Sequence, residues 1–274
     1  MSVIDDVFEK LRVAGRKAFI AFVPAGDPDL KFTEELLQGL SAVGVTLCEL
    51  GLPYSDPIAD GPVIQAAYTR TLARGVRVHE IFELLQRVTP RLACPVVLMT
   101  SYAIVFRRGL EMFVQECARK GVAGLVVPDL PVEESRPLAD VCGQFDLSLI
   151  QLVTPTTPPD RALRIAAESS GFLYYVSVTG ITGERDQLPP ELAEKVAWLR
   201  KHTDLPICVG FGISRPEQVA ALAGVADGVI VGSALVRRIA QAESLGPQSA
   251  LEDTLQFVRS LLAALPHQPV ARRI

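Results

Sequence analysis

Residues 45–62 read VTLCELGLPYSDPIADGP, an apolar run that ends in a carboxylate and continues as a long loop. The run predicts a buried strand at 45–50, because the residues before Glu49 are mostly apolar. A carboxylate at the end of a buried strand is costly unless it is solvated, paired or used. Enzymes built on parallel sheets keep their chemistry at the carboxyl ends of the strands. Glu49 and Asp60, in the loop beyond it, are therefore the first candidates for chemistry.

Short apolar runs alternate with segments of helical period along the rest of the chain. We predict strands at 18–23, 45–50, 96–100, 124–127, 148–153, 172–177, 206–209 and 228–231. We predict helices at 3–13, 32–42, 78–88, 110–119, 159–167, 190–202, 216–221, 235–240 and 248–263. Strand–helix units in series predict an α/β fold, a (β/α)₈ TIM barrel with an extra N-terminal helix. The alternative is a doubly wound open sheet, but no Gly-x-Gly-x-x-Gly run opens a helix here.

The bulk composition is that of an ordinary enzyme domain. The 274 residues are 49% hydrophobic, and α/β barrels reach this length as one domain. We therefore predict a single domain over 1–274, with a frayed tail at 265–274. A net charge of −4 gives no support to nucleic-acid binding, and no apolar run reaches the roughly 18 residues that span a membrane. Asp5 and Asp6 are wrong for a signal peptide, so we expect a cytoplasmic protein.

The five cysteines, at 48, 94, 117, 142 and 208, have no metal-ligand spacing. They are typical of reduced thiols that fill the core.

The carboxylates differ in how strongly they point to function. In a barrel the alternation Val45, Leu47, Glu49 faces inward, so Glu49 should point into the mouth. A half-buried carboxyl tends to have a raised pKa, which suits acid–base work; the alternative is a surface Glu at a frayed strand end. For Asp60 the alternative to a catalytic role is a purely structural one, since Asp-Gly-Pro is a common turn. Asp27 is expected to be a helix N-cap or a loop anchor.

Glycines follow the last two predicted strands, in Gly210-Phe211-Gly212 and Gly232-Ser233. Glycine lets backbone N–H groups approach an anion closely. TIM barrels frequently bind phosphate with these two loops and the helix N-terminus behind them. The glycines could be plain turns, but their place after strands seven and eight favours a phosphate site, to which Ser233 adds a hydroxyl.

Two kinds of aldolase are disfavoured by residues that are missing from the strand ends. No lysine falls at the carboxyl end of a predicted strand, which argues against a Schiff-base enzyme. The three histidines lie on predicted helices or in the tail, which argues against a zinc enzyme. The remaining groups suit cofactor-free proton transfer on a phosphorylated small molecule.

The sequence resembles the tryptophan synthase alpha subunit family over nearly its whole length. The matching motifs are AGDP at 25–28, ELG at 49–51, SDP at 55–57, ADGP at 59–62, VPDLP at 127–131, TGITG at 179–183, GFGI at 210–213 and GS at 232–233. The resemblance implies a lyase that cleaves indole-3-glycerol phosphate to indole and glyceraldehyde 3-phosphate by a retro-aldol step, in tryptophan biosynthesis.

The resemblance also assigns roles to residues. Glu49 falls where the family has its proton-transferring acid/base, and Asp60 falls where the family's Asp holds the indole N–H. Tyr174 aligns with an active-site tyrosine, and Phe22 and Phe211 would flank the indole. The remaining substrate-binding positions, of which all but the first would hold the phosphate, are Thr182, Gly183, Gly212, Gly232 and Ser233. The TGITG run looks like a closing lid.

A partner is implied as well. The family works with a pyridoxal-phosphate beta subunit that takes up the indole, in a heterotetramer of two alpha and two beta subunits. The resemblance implies no cofactor or metal in this chain. The surface around Pro53, Asp56 and Asp129 lies on the barrel face that carries the site, and it is the candidate interface.

The chain departs from the family pattern at two places, Ala103-Ile104 where an Asn is usual and Pro24 where Thr is common. The first departure lies near the region that the family uses to meet its partner, so it bears on how strongly this chain is coupled to a beta subunit. Two other functions are therefore alternatives. One is a stand-alone lyase that releases free indole, and the other is a non-catalytic barrel that binds a phosphorylated ligand and regulates a partner.

Overall fold

The computed structural model describes residues 2–57, 60–176, 190–210 and 212–265. The strands in these residues are β1 (Ala18–Pro24), β2 (Leu47–Gly51), β3 (Val96–Met99), β4 (Val122–Val126), β5 (Ser148–Ile150), β6 (Leu152–Val153), β7 (Leu173–Val176), β8 (Ile207–Gly210) and β9 (Gly228–Val231). All pairings are parallel, and the order is β5-β4-β3-β2-β1-β9-β8-β7-β6. Because β5 and β6 are halves of one run interrupted at Gln151, the ends of this order meet in a barrel. The predicted (β/α)₈ fold is confirmed.

Helices cover the outside of the sheet. They are α1 (Val3–Val13), α2 (Leu30–Val43), α3 (Pro62–Ala73), α4 (Val78–Val88), α5 (Tyr102–Arg108), α6 (Leu110–Arg119), α7 (Arg136–Gln144), α8 (Pro159–Glu168), α9 (Pro190–Leu199), α10 (Pro216–Ala223), α11 (Ser233–Ala240), α12 (Ala242–Leu245) and α13 (Pro247–Leu262), with short 3-10 turns at Thr89–Arg91 and Val132–Glu134. Helices α3, α5, α7 and α12 are not among those that we predict from the sequence. Within the described ranges, no helix is both long and apolar enough to cross a bilayer.

Alternation along the strands divides the core into two layers. In β1, Ile20 and Phe22 belong to the cluster inside the barrel, whereas Phe19 and Ala21 pack under the surrounding helices. This is the period-2 pattern of a strand that is buried on both faces. The prediction that Val45 also faces inward is wrong. It precedes β2, which begins at Leu47, and it packs in the outer layer.

Helix α1 closes the amino-terminal end of the barrel. Ser2 caps it reciprocally, since its Oγ accepts from the Asp5 N–H at 3.2 Å and its own N–H donates to the Asp5 carboxylate at 2.7 Å. The Ser2 and Ser148 hydroxyls lie 2.8 Å apart, and the rings of Phe8 and Phe172 are 5.6 Å apart. The inner layer of the barrel is therefore closed at this end by α1, and its carboxyl-terminal end carries Glu49.

Candidate active site

Glu49 lies inside the barrel near the carboxyl end of β2, beside Phe22 of β1 and Val97 of β3 in the sheet register. Glu49 is only 1% exposed, and within the described residues neither of its carboxyl oxygens has a hydrogen-bond partner. Burial, reinforced by the negative charge of Asp60, raises the pKa of Glu49 to about 8, while the Tyr174 hydroxyl opposes the rise. Glu49 is therefore a neutral acid near pH 7, with a proton to give.

Asp60 stands at the end of the loop that follows β2, just before α3. Its carboxylate faces the Tyr54 hydroxyl, which donates to Oδ2 over a long 3.5 Å. Gln65 steadies the loop by donating to the Asp60 carbonyl at 2.8 Å. Burial raises the pKa of Asp60 to about 6, and the bond from Tyr54 works against the rise. At pH 7 Asp60 is mostly ionised, so the two carboxyls differ in charge, the usual mark of an acid and base pair.

Tyrosines surround the two carboxyls. Tyr174 projects from β7 into the inner layer, and the charge of Glu49 contributes to the raised pKa of its phenol, after burial. Tyr68 of α3 is fully buried, and its hydroxyl has no hydrogen-bond partner in the described part of the chain. Its ring lies 5.6 Å from the ring of Tyr54. A polar atom buried without a partner carries a desolvation cost, so the Tyr68 hydroxyl is a candidate for contact with a ligand.

The sequence analysis missed Tyr68 because it did not identify α3, and it missed Tyr54 because it assigned no role to this residue of the loop after β2. The signal was present as Ile64, Tyr68 and Thr71, which lie on one face of a helix at the spacing i, i+4, i+7. Pro62 at the first helical turn is also a usual start signal. The period is blurred by apolar residues on the other faces of α3.

Gly51 is a glycine because aromatic side chains approach its backbone. A Cβ at this position would lie 2.2 Å from the Tyr68 hydroxyl and 2.8 Å from Cζ of Phe22. Both distances are far inside van der Waals contact. The absence of a side chain at the end of β2 lets Tyr68 and Phe22 reach the space beside Glu49.

The expected phosphate loops lie side by side. Gly210 of β8 is the register partner of Ile230 in β9, so Gly212 and Gly232 follow neighbouring strand ends. Gly212 has a positive φ of +42°, and a Cβ there would meet open space. Gly232 directly precedes α11, whose first residue is Ser233, and the first N–H groups of a helix have no intrahelical acceptor. Phe211, Thr182 and Gly183 lie outside the described residues.

Asp27 is an anchor and not a helix cap. It is 1% exposed, and Arg70 of α3 donates to its two carboxylate oxygens from Nε at 3.0 Å and Nη2 at 2.6 Å. Arg74 adds a weaker contact at 3.5 Å. The N-cap of α2 is Asp29, which accepts from the Phe32 N–H at 2.7 Å. The loop-anchor reading therefore holds, and the N-cap alternative is wrong.

The candidate interface residues differ in exposure. Pro53 is buried, Asp56 is exposed and Asp129 is partly buried. Both Asp129 oxygens are used at the start of α5, where they accept from the Ser101 hydroxyl at 2.7 Å and the Tyr102 N–H at 2.8 Å. Asp129 thus fixes the helix that follows β3.

Helix α5 carries both halves of the sequence departure and an exposed aromatic ring. Ala103 and Ile104 lie in its first turn, and Phe106, 68% exposed, lies one turn on. Of the large apolar side chains in the described ranges, Phe106 has the highest exposed fraction, and α5 begins at the end of the barrel that carries Glu49.

The fold and this arrangement define a (β/α)₈-barrel enzyme with two buried carboxyls, of raised pKa, at the end of the barrel where glycines follow β8 and β9. A family model described as the tryptophan synthase alpha chain matches residues 8–265. The chain belongs to the tryptophan synthase alpha chain family.

Individual relatives agree with the family assignment. The tryptophan synthase alpha chain of Rhodopirellula baltica is 50% identical over 275 residues, covering 97% of this chain and 99% of the relative. Among solved structures, the alpha chain of Legionella pneumophila has 33% identity and a TM-score of 0.86, over 96% of this chain and 97% of that one. A tryptophan synthase complex from Pyrococcus furiosus has 32% identity and a TM-score of 0.82, over 90% and 99%.

Proposed function

We propose that this chain cleaves indole-3-glycerol phosphate to indole and glyceraldehyde 3-phosphate, as the alpha subunit of a tryptophan synthase. The observation that carries the proposal is the pair of buried carboxyls, with the pKa of Glu49 at about 8 and that of Asp60 at about 6. At pH 7 Glu49 is a proton donor and Asp60 is an anion, and both lie at the mouth of the barrel. Retro-aldol cleavage of indole-3-glycerol phosphate needs a proton donor and an anion.

The reaction begins with a proton. Glu49 donates its proton to C3 of the indole, which turns the ring into a cation and weakens the bond to the glycerol chain. The ionised Asp60 accepts the indole N–H and stabilises the positive charge that develops there. Loss of the proton from the adjacent glycerol hydroxyl, with help from the Glu49 carboxylate, completes the cleavage. The carbon–carbon bond electrons neutralise the ring, and an aldehyde forms on the other fragment.

The remaining side chains position the substrate. Phe22 and Tyr174 both lie in the inner layer of the barrel, where they would bracket the indole between apolar surfaces. The phosphate would be held by Gly212, Gly232 and Ser233 at the N-terminus of α11, joined by Thr182 and Gly183. An eight-residue helix such as α11 offers free N–H groups and a partial positive charge to an anion.

The proposal extends to the setting of the enzyme. The steps above are proton transfers by this chain's own residues, so we propose that it uses no cofactor, and that pyridoxal phosphate belongs to a beta subunit. The similarity to tryptophan synthase complexes supports such a partner, and Phe106 and Asp56 give it an exposed surface beside the mouth. We place the enzyme in the cytoplasm and infer a single domain.

The test is an indole-release assay on indole-3-glycerol phosphate, with and without a beta subunit. Wild-type protein should release indole, and Glu49→Gln should lose at least about 10²-fold in rate, since that is what positioned acid–base groups contribute. Glu83→Gln, on the exposed face of α4, is the matched control and should be fully active. Equal rates for the two variants would contradict the proposal. Full activity that does not respond to a beta subunit would favour the stand-alone lyase, whereas binding of glyceraldehyde 3-phosphate without turnover would favour the regulatory barrel.

A further inference from the structure

Two cysteine thiols lie side by side at the end of the barrel opposite the mouth. The Sγ atoms of Cys48, in β2, and Cys94, just before β3, are 3.7 Å apart although the residues are 46 positions apart in sequence. The backbones approach closely as well, because the Cys48 N–H donates to the Pro95 carbonyl at 3.1 Å. All five cysteines are free and buried, so this closeness is between two reduced thiols.

Of the two cysteines, Cys94 has a small exposed surface and Cys48 has none. Cys94 is 7% exposed and lines a surface cavity of about 430 Å³ at the amino-terminal ends of β3 and β4. Other residues of this cavity are Thr89, Pro95, Gly121 and Leu147. Cys48 has no exposed surface. A small polar reagent in the cavity would therefore meet the Cys94 sulfur first.

The electrostatics distinguish the two thiols in the same sense. The two sulfurs share a hydrogen bond in which either can be the donor, and this bond, with help from Ser41, lowers the pKa of Cys94 below its ordinary value. The same contact and burial raise the pKa of Cys48. The thiolate is the reactive form of cysteine, so Cys94 is suited to attack and Cys48 to follow.

We propose that Cys48 and Cys94 form a redox-active dithiol that reacts with a small peroxide and closes to an intramolecular disulfide. The Cys94 thiolate attacks one oxygen of hydrogen peroxide, the O–O bond breaks, and a sulfenic acid forms while the other oxygen leaves and is protonated to water. The Cys48 sulfur then attacks the Cys94 sulfur, the S–O bond breaks, and the departing hydroxide takes the Cys48 proton to give a second water. Two thiols lose two electrons, and one peroxide gains them.

The geometry permits the second step. A disulfide needs the sulfurs about 2 Å apart, so the pair must close by about 1.7 Å from the observed separation of 3.7 Å. The backbones are already adjacent, since Cys48 is the register partner of Val96, two residues after Cys94, so the movement is required mainly of the two side chains. Cys117 and Cys142 offer a contrast, because burial raises the pKa of both thiols, that of Cys142 to about 12.

The experiment maps disulfides in the native full-length protein after brief treatment with hydrogen peroxide. Free thiols are alkylated in denaturant and the protein is digested with trypsin. The expected product joins the peptide 32–70, which holds Cys48, to the peptide 92–107, which holds Cys94, and dithiothreitol releases it. Oxidation of Cys94 that stops at sulfinic acid would overturn the proposal. Alkylation of all five cysteines after the peroxide treatment, which would mean that none had reacted, would also overturn it.

Variants separate the two roles. In Cys48→Ser the resolving thiol is gone, so a sulfenic acid should persist on Cys94 and be trapped by dimedone. In Cys94→Ser, Cys48 should not react with peroxide. Cys142→Ser is the control and should form the 32–70 to 92–107 link as the wild type does. Dimedone labelling of Cys48 instead of Cys94 would contradict the proposed order. Should a variant fail to fold, the wild-type map alone still decides whether the disulfide forms.

Discussion

Arg70 and Asp27 form a two-pronged ion pair that joins the loop after β1 to the helix after Asp60. Arg70 donates to both Asp27 oxygens, at 3.0 and 2.6 Å, and Asp27 is 1% exposed. A guanidinium fork matches a carboxylate in a fixed orientation. The pair therefore fixes α3, which carries Tyr68, relative to the barrel.

We expect Arg70→Met to destabilise the protein by about 3 kcal/mol, because removing one partner leaves a buried carboxylate without compensation. Chemical denaturation of both proteins measures the difference. The double variant Arg70→Met/Asp27→Asn is the control and should recover part of the loss, since the buried charge is gone. Equal stability of Arg70→Met and wild type would show that Arg74, at 3.5 Å from Asp27, carries the interaction.

The pH profile of kcat/KM should be bell-shaped. Activity requires Asp60 ionised and Glu49 protonated, so the limbs should fall near pH 6 and pH 8, the pKa values of the two groups. The groups interact, so the limbs belong to the pair. In Asp60→Asn the acidic limb should vanish and the alkaline limb should move to lower pH, because the charge that raises the pKa of Glu49 is removed. An unchanged acidic limb in that variant would assign it to another group.

Because of Glu49, the free energy of unfolding should fall as the pH rises. Its pKa is about 8 in the folded protein against an ordinary value of 4.5. Between these values the folded state binds a proton that the unfolded state does not, so the free energy of unfolding falls with rising pH. Glu49→Gln lacks this term, and its advantage over wild type should grow by up to about 4 kcal/mol between pH 5 and pH 8. Urea unfolding at several pH values measures it, and parallel curves would mean that Glu49 ionises normally.

Gly51→Ala should destabilise the protein by about 1–3 kcal/mol, the usual cost of overpacking. The new methyl would start 2.2 Å from the Tyr68 hydroxyl. Thermal unfolding checks the loss, and adding Tyr68→Phe to Gly51→Ala should recover part of it. Gly143→Ala is the matched control, because a Cβ there meets nothing within 4 Å and alanine favours the helix. A neutral Gly51→Ala would mean that Tyr68 moves freely.

Phe106→Asp should weaken the response to a beta subunit while leaving the basal indole release unchanged. Buried aromatic anchors at interfaces contribute about 2 kcal/mol or more, so the affinity should fall roughly 30-fold. Titration of indole release with beta subunit gives the apparent affinity. Val13→Asp is the control, because Val13 is similarly exposed, at 65%, but lies on α1 at the far end of the barrel. Equal effects of the two substitutions would remove α5 from the interface.

Much of this molecule could be predicted from its sequence, and the exceptions have physical causes. The strands of a parallel barrel are buried on both faces, so they appear as continuous apolar runs. Glu49 was visible because it breaks such a run. The contact between Tyr68 and Gly51 could not be predicted, because it joins a helix to a strand end through space. Asp27 was ambiguous because Asp29, two positions on, is equally suited to cap α2.

The seal made by α1 also sets an order of events during synthesis. Ser2 binds Ser148, and Phe8 packs on Phe172, so α1, which is synthesised before all the described strands, cannot complete its docking until β5 and the start of β7 have been made. Until then Phe8, on the apolar face of α1, lacks the ring on which it packs in the folded protein. A helix that is synthesised before the barrel strands is therefore among the last elements to reach its place.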